Sequence, residues 1–207
     1  MLKKLTKAAA ILAAIFLILI VFTLSYVQNL KSNISDNLLR LHIVGASNSD
    51  YDQHLKICVR DKILADFSDE FIACTSAQDA ADTAERLKHE IENSANNELA
   101  RLGSFDTVTS TVEKCKFPTK TYGSLALPGG EYTALNIRIG DAEGKNWWCV
   151  MYPPLCVTDK TMVMSKASQE KLKSSLSEEE YRLICENARP DIKIKFKIAE
   201  ILGEYLR

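Results

Sequence analysis

The chain has 207 residues, 46% of them hydrophobic, with 26 basic and 27 acidic side chains and a formal net charge of −1. That length buries one core and leaves no room for several independent domains. Setting aside Lys3, Lys4 and Lys7, which precede an apolar run, leaves 23 basic residues against 27 acidic ones, a charge near −4. This excludes the basic footprint of a nucleic-acid binder.

The apolar run extends from Ala8 to Phe22 and, tolerating Thr23 and Ser25, on to Val27. As a helix it is long enough to span about 30 Å of hydrocarbon. Residues 1–27 are a signal peptide or an uncleaved signal anchor, two outcomes that differ in cleavage and agree in export. With the lysines before the run, the positive-inside tendency keeps the N-terminus cytoplasmic and sends the chain from residue 30 onward across the membrane through residues 8–27. Residues 28–37 (QNLKSNISDN) are polar and aperiodic, the composition of a tether. Residues 38–207 are the exported domain.

Leu38–Val44 sets Leu39, Leu41 and Ile43 against Arg40 and His42, a strand with one polar-leaning face. Gly45–Asp52 gathers turn formers, and Ser49 with Asp52 has the spacing of a capping box. In the helix that follows, Tyr51, Leu55, Cys58, Val59, Ile63 and Phe67 form the apolar face, leaving Asp52, Lys56 and Arg60 on the wet side. After a break at Ser68–Ser76, Ala77–Leu102 is a long amphipathic helix with a narrow alanine-rich stripe.

Phe105–Lys116 reads as a strand, and Phe117–Gly130, with its prolines and glycines, as a long connection with fixed turns. Residues 131–139 alternate as a strand, and Gly140–Lys145 is a hairpin-type loop. Helices are expected over Ser168–Leu176, Ser177–Ala188, where Ser177 and Glu180 form a second capping box, and Ile192–Leu206. The order specifies an α+β fold: a single antiparallel sheet packed by the long helix and further helices, behind an N-terminal hydrophobic segment.

Asn146–Cys156 (NWWCVMYPPLC) combines strand formers with a stop at Pro153-Pro154. Adjacent strand residues point to opposite faces, so Trp147 and Trp148 cannot enter the same side of a sheet. Cys149 and Cys156 bracket the turn at a spacing suited to a disulfide. By loop entropy the closure is worth roughly 2.5 kcal/mol. Cys58, Cys74 and Cys185 lie in helix-like stretches and read as buried thiols.

A hydrolase needs a reactive constellation, and none is evident. His42, His54 and His89 have no second metal ligand at zinc-type spacing. There is no G-x-S-x-G, no phosphate-cradling glycine loop and no facing carboxylate pair; Asp50 and Asp52 sit where a helix N-terminus favours negative charge. No metal or other cofactor is expected. The alternative function is an exported envelope-associated hydrolase acting through a carboxylate pair that the spacing does not reveal or through Cys149, a residue that export and Cys156 favour as oxidised.

Two blocks carry a resemblance. One runs from Arg40-Leu41-His42-Ile43-Val44 through Ser49, Asp52-Gln53 and Leu55-Lys56 to Val59-Arg60-Asp61. The other contains Phe117-Pro118-Thr119-Lys120, Tyr122-Gly123, Tyr132, Asn146-Trp147-Trp148-Cys149-Val150 and Pro153-Pro154-Leu155-Cys156. In these the chain resembles the stage II sporulation protein R family. It departs at Ala46-Ser47-Asn48-Ser49, where the family tends to read Asn-Ser-Asp-Ser.

The resemblance implies a ligand and not an enzyme. It would be exported from the forespore into the space between the sporulation membranes, where it activates a stage II sporulation protein GA-type membrane-embedded aspartic protease that processes the sigma-E precursor. The expected partner-binding residues are Asn48, Ser49, Asp50, Asp52, Gln53, Lys120, Tyr122, Asn146, Trp147 and Trp148.

Overall fold

The computed structural model describes residues 2–155 and 166–186. Helix α1 (Leu2–Asp36) is followed by β1 (Leu39–Val44), α2 (Asp50–Ala73) and α3 (Ala77–Arg101). Then come β2 (Val108–Phe117), β3 (Lys120–Tyr122), β4 (Leu125–Leu127), β5 (Gly130–Ile139), β6 (Asn146–Tyr152), α4 (Lys166–Ser175) and α5 (Glu178–Glu186). The expected helix over Ile192–Leu206 lies outside the described residues.

The α+β architecture stands, with one change of topology. The main sheet has the order β2-β5-β1-β6, and β1 runs parallel to β5 while the other two pairings are antiparallel. The sheet is therefore mixed, and not antiparallel throughout. The cause is the position of β1: it slots between β5 and β6, so Gly140–Lys145 does not close a hairpin but passes over the C-terminal end of β1. There Glu143 N donates to Ala46 O (3.1 Å) and Gly144 N to Gly45 O (2.9 Å). The 117–130 connection contains a two-stranded sheet, β3 with β4.

A central strand of such a sheet is covered on both sides, and β1 is. Leu39, Leu41 and Ile43 join Leu55, Val59 and Ile63 of α2 and Ala84, Leu87 and Ile91 of α3 in one core. On the opposite face Phe117, Leu125, Leu127, Tyr132 and Val150 pack with Ile34, Leu38, Leu172 of α4, Leu176 just after it and Ile184 of α5. The polar-leaning face expected for β1 is thus buried: Arg40 is 0% exposed.

Three local expectations change. Residues 28–36 continue α1, and Ile34 is fully buried at its end, so this stretch is a helix and not an aperiodic connection. The break expected from Ser68 shrinks to Cys74–Ser76, because Ser68 Oγ bonds back to Leu64 O within the helix and Phe71 anchors its last turns. Most consequential is the rotation of α2. Lys56 and Arg60 are buried, whereas Tyr51 is 52% exposed and Cys58 half-buried. The long α3 follows its alanine stripe, with Ala80, Ala84, Leu87, Ile91, Ala95 and Leu99 buried.

Candidate functional site

The C-terminal end of β1 is where the first polar block assembles. Ser49 is the N-cap of α2 and accepts from Asp52 N (3.0 Å). The reciprocal half of the capping box goes elsewhere: Ser47 Oγ donates to Asp52 Oδ2 and accepts from Ser49 N (3.0 Å). Gln53 Nε2 donates to Ser47 O (2.7 Å), and its Oε1 accepts from Lys56 Nζ. Lys56 Nζ also donates to Lys145 O (2.8 Å), which ties α2 to the 140–145 loop. Burial, then the like charges of Lys145 and Arg60, lower the pKa of Lys56.

Trp147 and Trp148 separate across the sheet as strand geometry demands. Trp147 packs against the α2–α3 core, with the Arg60 guanidinium 4.4 Å from its ring centroid. Asp61 pairs with Arg60 and completes its neutralisation. On the opposite face Trp148 stacks on His42 with centroids 4.0 Å apart and planes 8° from parallel, and Phe117 meets the tryptophan edge-on at 4.6 Å. The His42 ring is held at both nitrogens: Nδ1 lies 2.9 Å from Asn136 Oδ1 and Nε2 2.8 Å from Asn146 Oδ1.

Beneath this stack lies Arg40. Its Nε donates to Cys149 O and its Nη2 to Tyr122 Oη, both at 2.8 Å. The guanidinium carbon sits 4.3 Å from the Phe117 centroid, 4.9 Å from Tyr132 and 5.7 Å from Tyr122. None of the described carboxylates pairs with it, and Nη1 has no partner there. Burial lowers its pKa, opposed by the neighbouring tyrosines and Cys115; the intrinsic basicity of guanidinium keeps it charged. The aromatic faces supply the electrostatic compensation.

The expected contact residues therefore fall into two groups. Asn48, Ser49, Asp50, Asp52, Gln53, Asn146 and Trp147 gather about the C-terminal end of β1. Tyr122 and Trp148 lie on the opposite face with the β3–β4 sheet, which Lys120 opens as an exposed residue. Asn48, Ser49, Asp50, Lys120 and Asn146 are exposed; Asp52, Gln53, Tyr122 and both tryptophans are half-buried. Sequence periodicity put Lys56 and Arg60 on the wet side and Arg40 on a polar-leaning face, and a cation inside an otherwise apolar strand was the available signal for Arg40. The structural part of Asn136 had no signal beyond its place on an alternating strand.

The thiols offer little reactivity. Among the described residues Cys58, Cys74, Cys115 and Cys185 are outside any disulfide. Burial raises the Cys58 pKa, reinforced by Glu98 and Asp61, although His54 Nε2 is 3.5 Å away. Burial likewise raises that of Cys115, whose thiol bonds to Asn136. Cys149 is not one of these four, and Cys156 lies outside the described residues. Among the described residues no three His, Cys, Asp or Glu side chains gather in a way that would hold a metal.

The molecule is an α+β domain behind a helix, Ala10–Asp36, that is long and apolar enough to cross a membrane and is compatible with a signal or an anchor. The family model for stage II sporulation protein R matches residues 35–162. The chain is also 34% identical over 153 residues to stage II sporulation protein R of Bacillus subtilis (strain 168), an overlap of 74% of this chain and 68% of that protein. It belongs to the stage II sporulation protein R family and is a sporulation protein. No solved structure matches it.

Proposed function

We propose that this chain is an exported sporulation signal that binds and activates a membrane-embedded aspartic protease of the stage II sporulation protein GA type, which then processes the sigma-E precursor. Family membership supplies the process, and the observation that carries the ligand reading is the use made of the polar groups at the sheet end. Ser47, Asp52, Gln53 and Lys56 are spent on holding a turn and a loop in fixed shape. Such a surface is preorganised to be recognised. In this reading α1 delivers the domain into the space between the sporulation membranes, and Cys149 pairs with Cys156 to fix the end of β6.

The test is reconstitution in a non-sporulating cell that makes the full chain, its host's membrane protease and the sigma-E precursor. Precursor cleavage that requires the chain, and that survives Cys149→Ala if the variant folds, supports the ligand reading against an enzyme acting through that cysteine. No cleavage, with all three proteins made and correctly placed, sinks it.

A further inference from the structure

The rotation of α2 turns a tyrosine out to water while its two buried cations, Lys56 and Arg60, are compensated by Gln53, the Lys145 carbonyl, Asp61 and Trp147. Beside Tyr51 the chain exposes a second aromatic. Phe105 is 102% exposed, more than any described apolar side chain of the N-terminal helix. Both sit at the C-terminal end of α3: Tyr51 Oη donates to Leu102 O at 3.4 Å, three residues before Phe105.

Phe105 is not on a loose loop. Helix α3 ends in a Schellman motif, with Gly103 N donating to Ala100 O and Ser104 N to Leu99 O, both at 3.0 Å, and Gly103 at φ +78°. Ser104 Oγ then accepts from Asp106 N (3.2 Å) and donates to Asp106 Oδ2 (3.1 Å). Asp106 is wedged against the 140–145 loop: a Cβ on Gly140 would lie 2.8 Å from its Oδ1 and 3.1 Å from the Ala46 Cβ. A rigid turn thus holds a phenylalanine out into solvent, with its ordering cost already met in the fold.

The rim is acidic. Asp50 and Asp141 are exposed and make no ion pair among the described residues, and Asp106 stands next to Phe105. Of the nearby cations, Arg101 is held by both oxygens of Glu98, Lys145 lies at the far side of the loop, and exposed Arg138 alternates with Ile137 and Ile139 and so points to the sheet face away from the α2–α3 core. An exposed aromatic pair inside an acidic rim is repelled by an anionic lipid surface and is complementary to a protein pocket edged by lysine or arginine.

We infer that Phe105, with Tyr51 beside it, is the aromatic anchor of this protein's docking surface, inserting into an apolar pocket with a basic rim on a protein partner. The inference deepens the ligand reading and rests on it: the partner is the activated protease, and the contact lies on the α2–α3 corner and not on the tryptophan strand. Aromatic anchors of this type carry a disproportionate share of binding energy.

The test uses the full chain and the full-length protease, both in detergent micelles, with binding measured for wild type and for Phe105→Ser, Phe105→Leu, Tyr51→Ser and Ile72→Ser. Ile72 is 50% exposed at the opposite end of α2, about 30 Å away at 1.5 Å per residue, and serves as the control. The expected result is binding weakened by about 30-fold in Phe105→Ser, less in Phe105→Leu and not at all in Ile72→Ser, with unchanged thermal unfolding. Wild-type affinity in Phe105→Ser overturns the inference and leaves the ligand reading intact.

Should wild type trigger no precursor cleavage, the ligand reading fails separately, and a photoreactive phenylalanine at position 105 in the sporulating host decides the surface. An adduct with the protease, lost at high salt, retains it, and an adduct with any other envelope protein overturns it. Adducts only with a second copy of the chain, only with lipid, or with nothing overturn it.

Discussion

Arg40 Nε bonds to the carbonyl oxygen of Cys149 at 2.8 Å, so a fully buried cation of β1 is fastened to the main chain of the neighbouring strand. Its charge is balanced by aromatic faces and oxygen dipoles, with no described carboxylate in reach. Removing the side chain should therefore act mainly through packing. Arg40→Ala leaves a void between Phe117, Tyr122 and Tyr132 and should cost about 3–5 kcal/mol. Arg40→Met keeps most of the volume, removes a desolvated charge and should cost under about 2 kcal/mol. Urea unfolding of both variants checks the order; a Met variant as unstable as the Ala variant would show that the charge itself is required.

The two sides of α2 give a second prediction. Arg60 is buried beneath Trp147 and paired with Asp61, so Arg60→Ala should cost about 2 kcal/mol through lost ring contact and stem packing. Tyr51 is 52% exposed, and Tyr51→Ser should shift stability by less than about 0.5 kcal/mol. Helical periodicity alone gives the opposite order, and melting curves of the two variants decide between them.

That contrast shows what the sequence could carry. Strong local signals translated well: the alanine stripe of α3, the strand at 131–139, and the capping box at Ser177, where Glu180 N bonds to Ser177 Oγ (3.3 Å) and Ser177 N to Glu180 Oε2 (2.8 Å). What failed depended on partners distant in sequence. Arg40 and Arg60 look solvated until Phe117, Tyr132 and Trp147 arrive from strands some 80 residues on. The insertion of β1 between β5 and β6 is likewise a long-range choice that loop length does not encode. Of the candidate contact residues, the turn chemistry of Ser47–Gln53 was legible because caps are local, whereas Phe105 looked like an ordinary start of a strand.

Gly144 and Gly103 separate two reasons for glycine. A Cβ on Gly144 would lie 2.7 Å from Gly45 O and closer still to Ser47 O, both backbone atoms that cannot swing away. Gly144→Ala should push the 140–145 loop off the end of β1 and destabilise by about 2–3 kcal/mol. Gly103 has open space around it but a φ of +78°, so Gly103→Ala should cost about 1 kcal/mol and leave the neighbouring loop in place. Amide exchange at Glu143 and Gly144, whose N–H groups bond to Ala46 and Gly45, should accelerate beyond the global loss of stability in the first variant alone.

Tyr132 provides the pH test. It is 1% exposed, its hydroxyl donates to Pro128 O at 2.6 Å, and burial pushes its pKa up to about 12, against the partial opposition of Arg40. An acid kept neutral in the fold contributes stability that is complete below the unfolded value near 10 and is lost as pH rises from 10 to 12. Through that window the unfolded chain has released the proton and the folded one has not. The loss is about 1.4 kcal/mol per unit, or about 2.7 kcal/mol across the window. Tyr132→Phe cannot ionise. At neutral pH it should be less stable than wild type by about 1 kcal/mol for the missing hydrogen bond. That deficit should close by about pH 11, because wild type falls and the variant does not share that part of the fall. Denaturant unfolding of both proteins between pH 7 and about pH 11 measures the difference directly, and a deficit that stays constant over this range would mean that Tyr132 ionises as easily in the fold as in the unfolded chain.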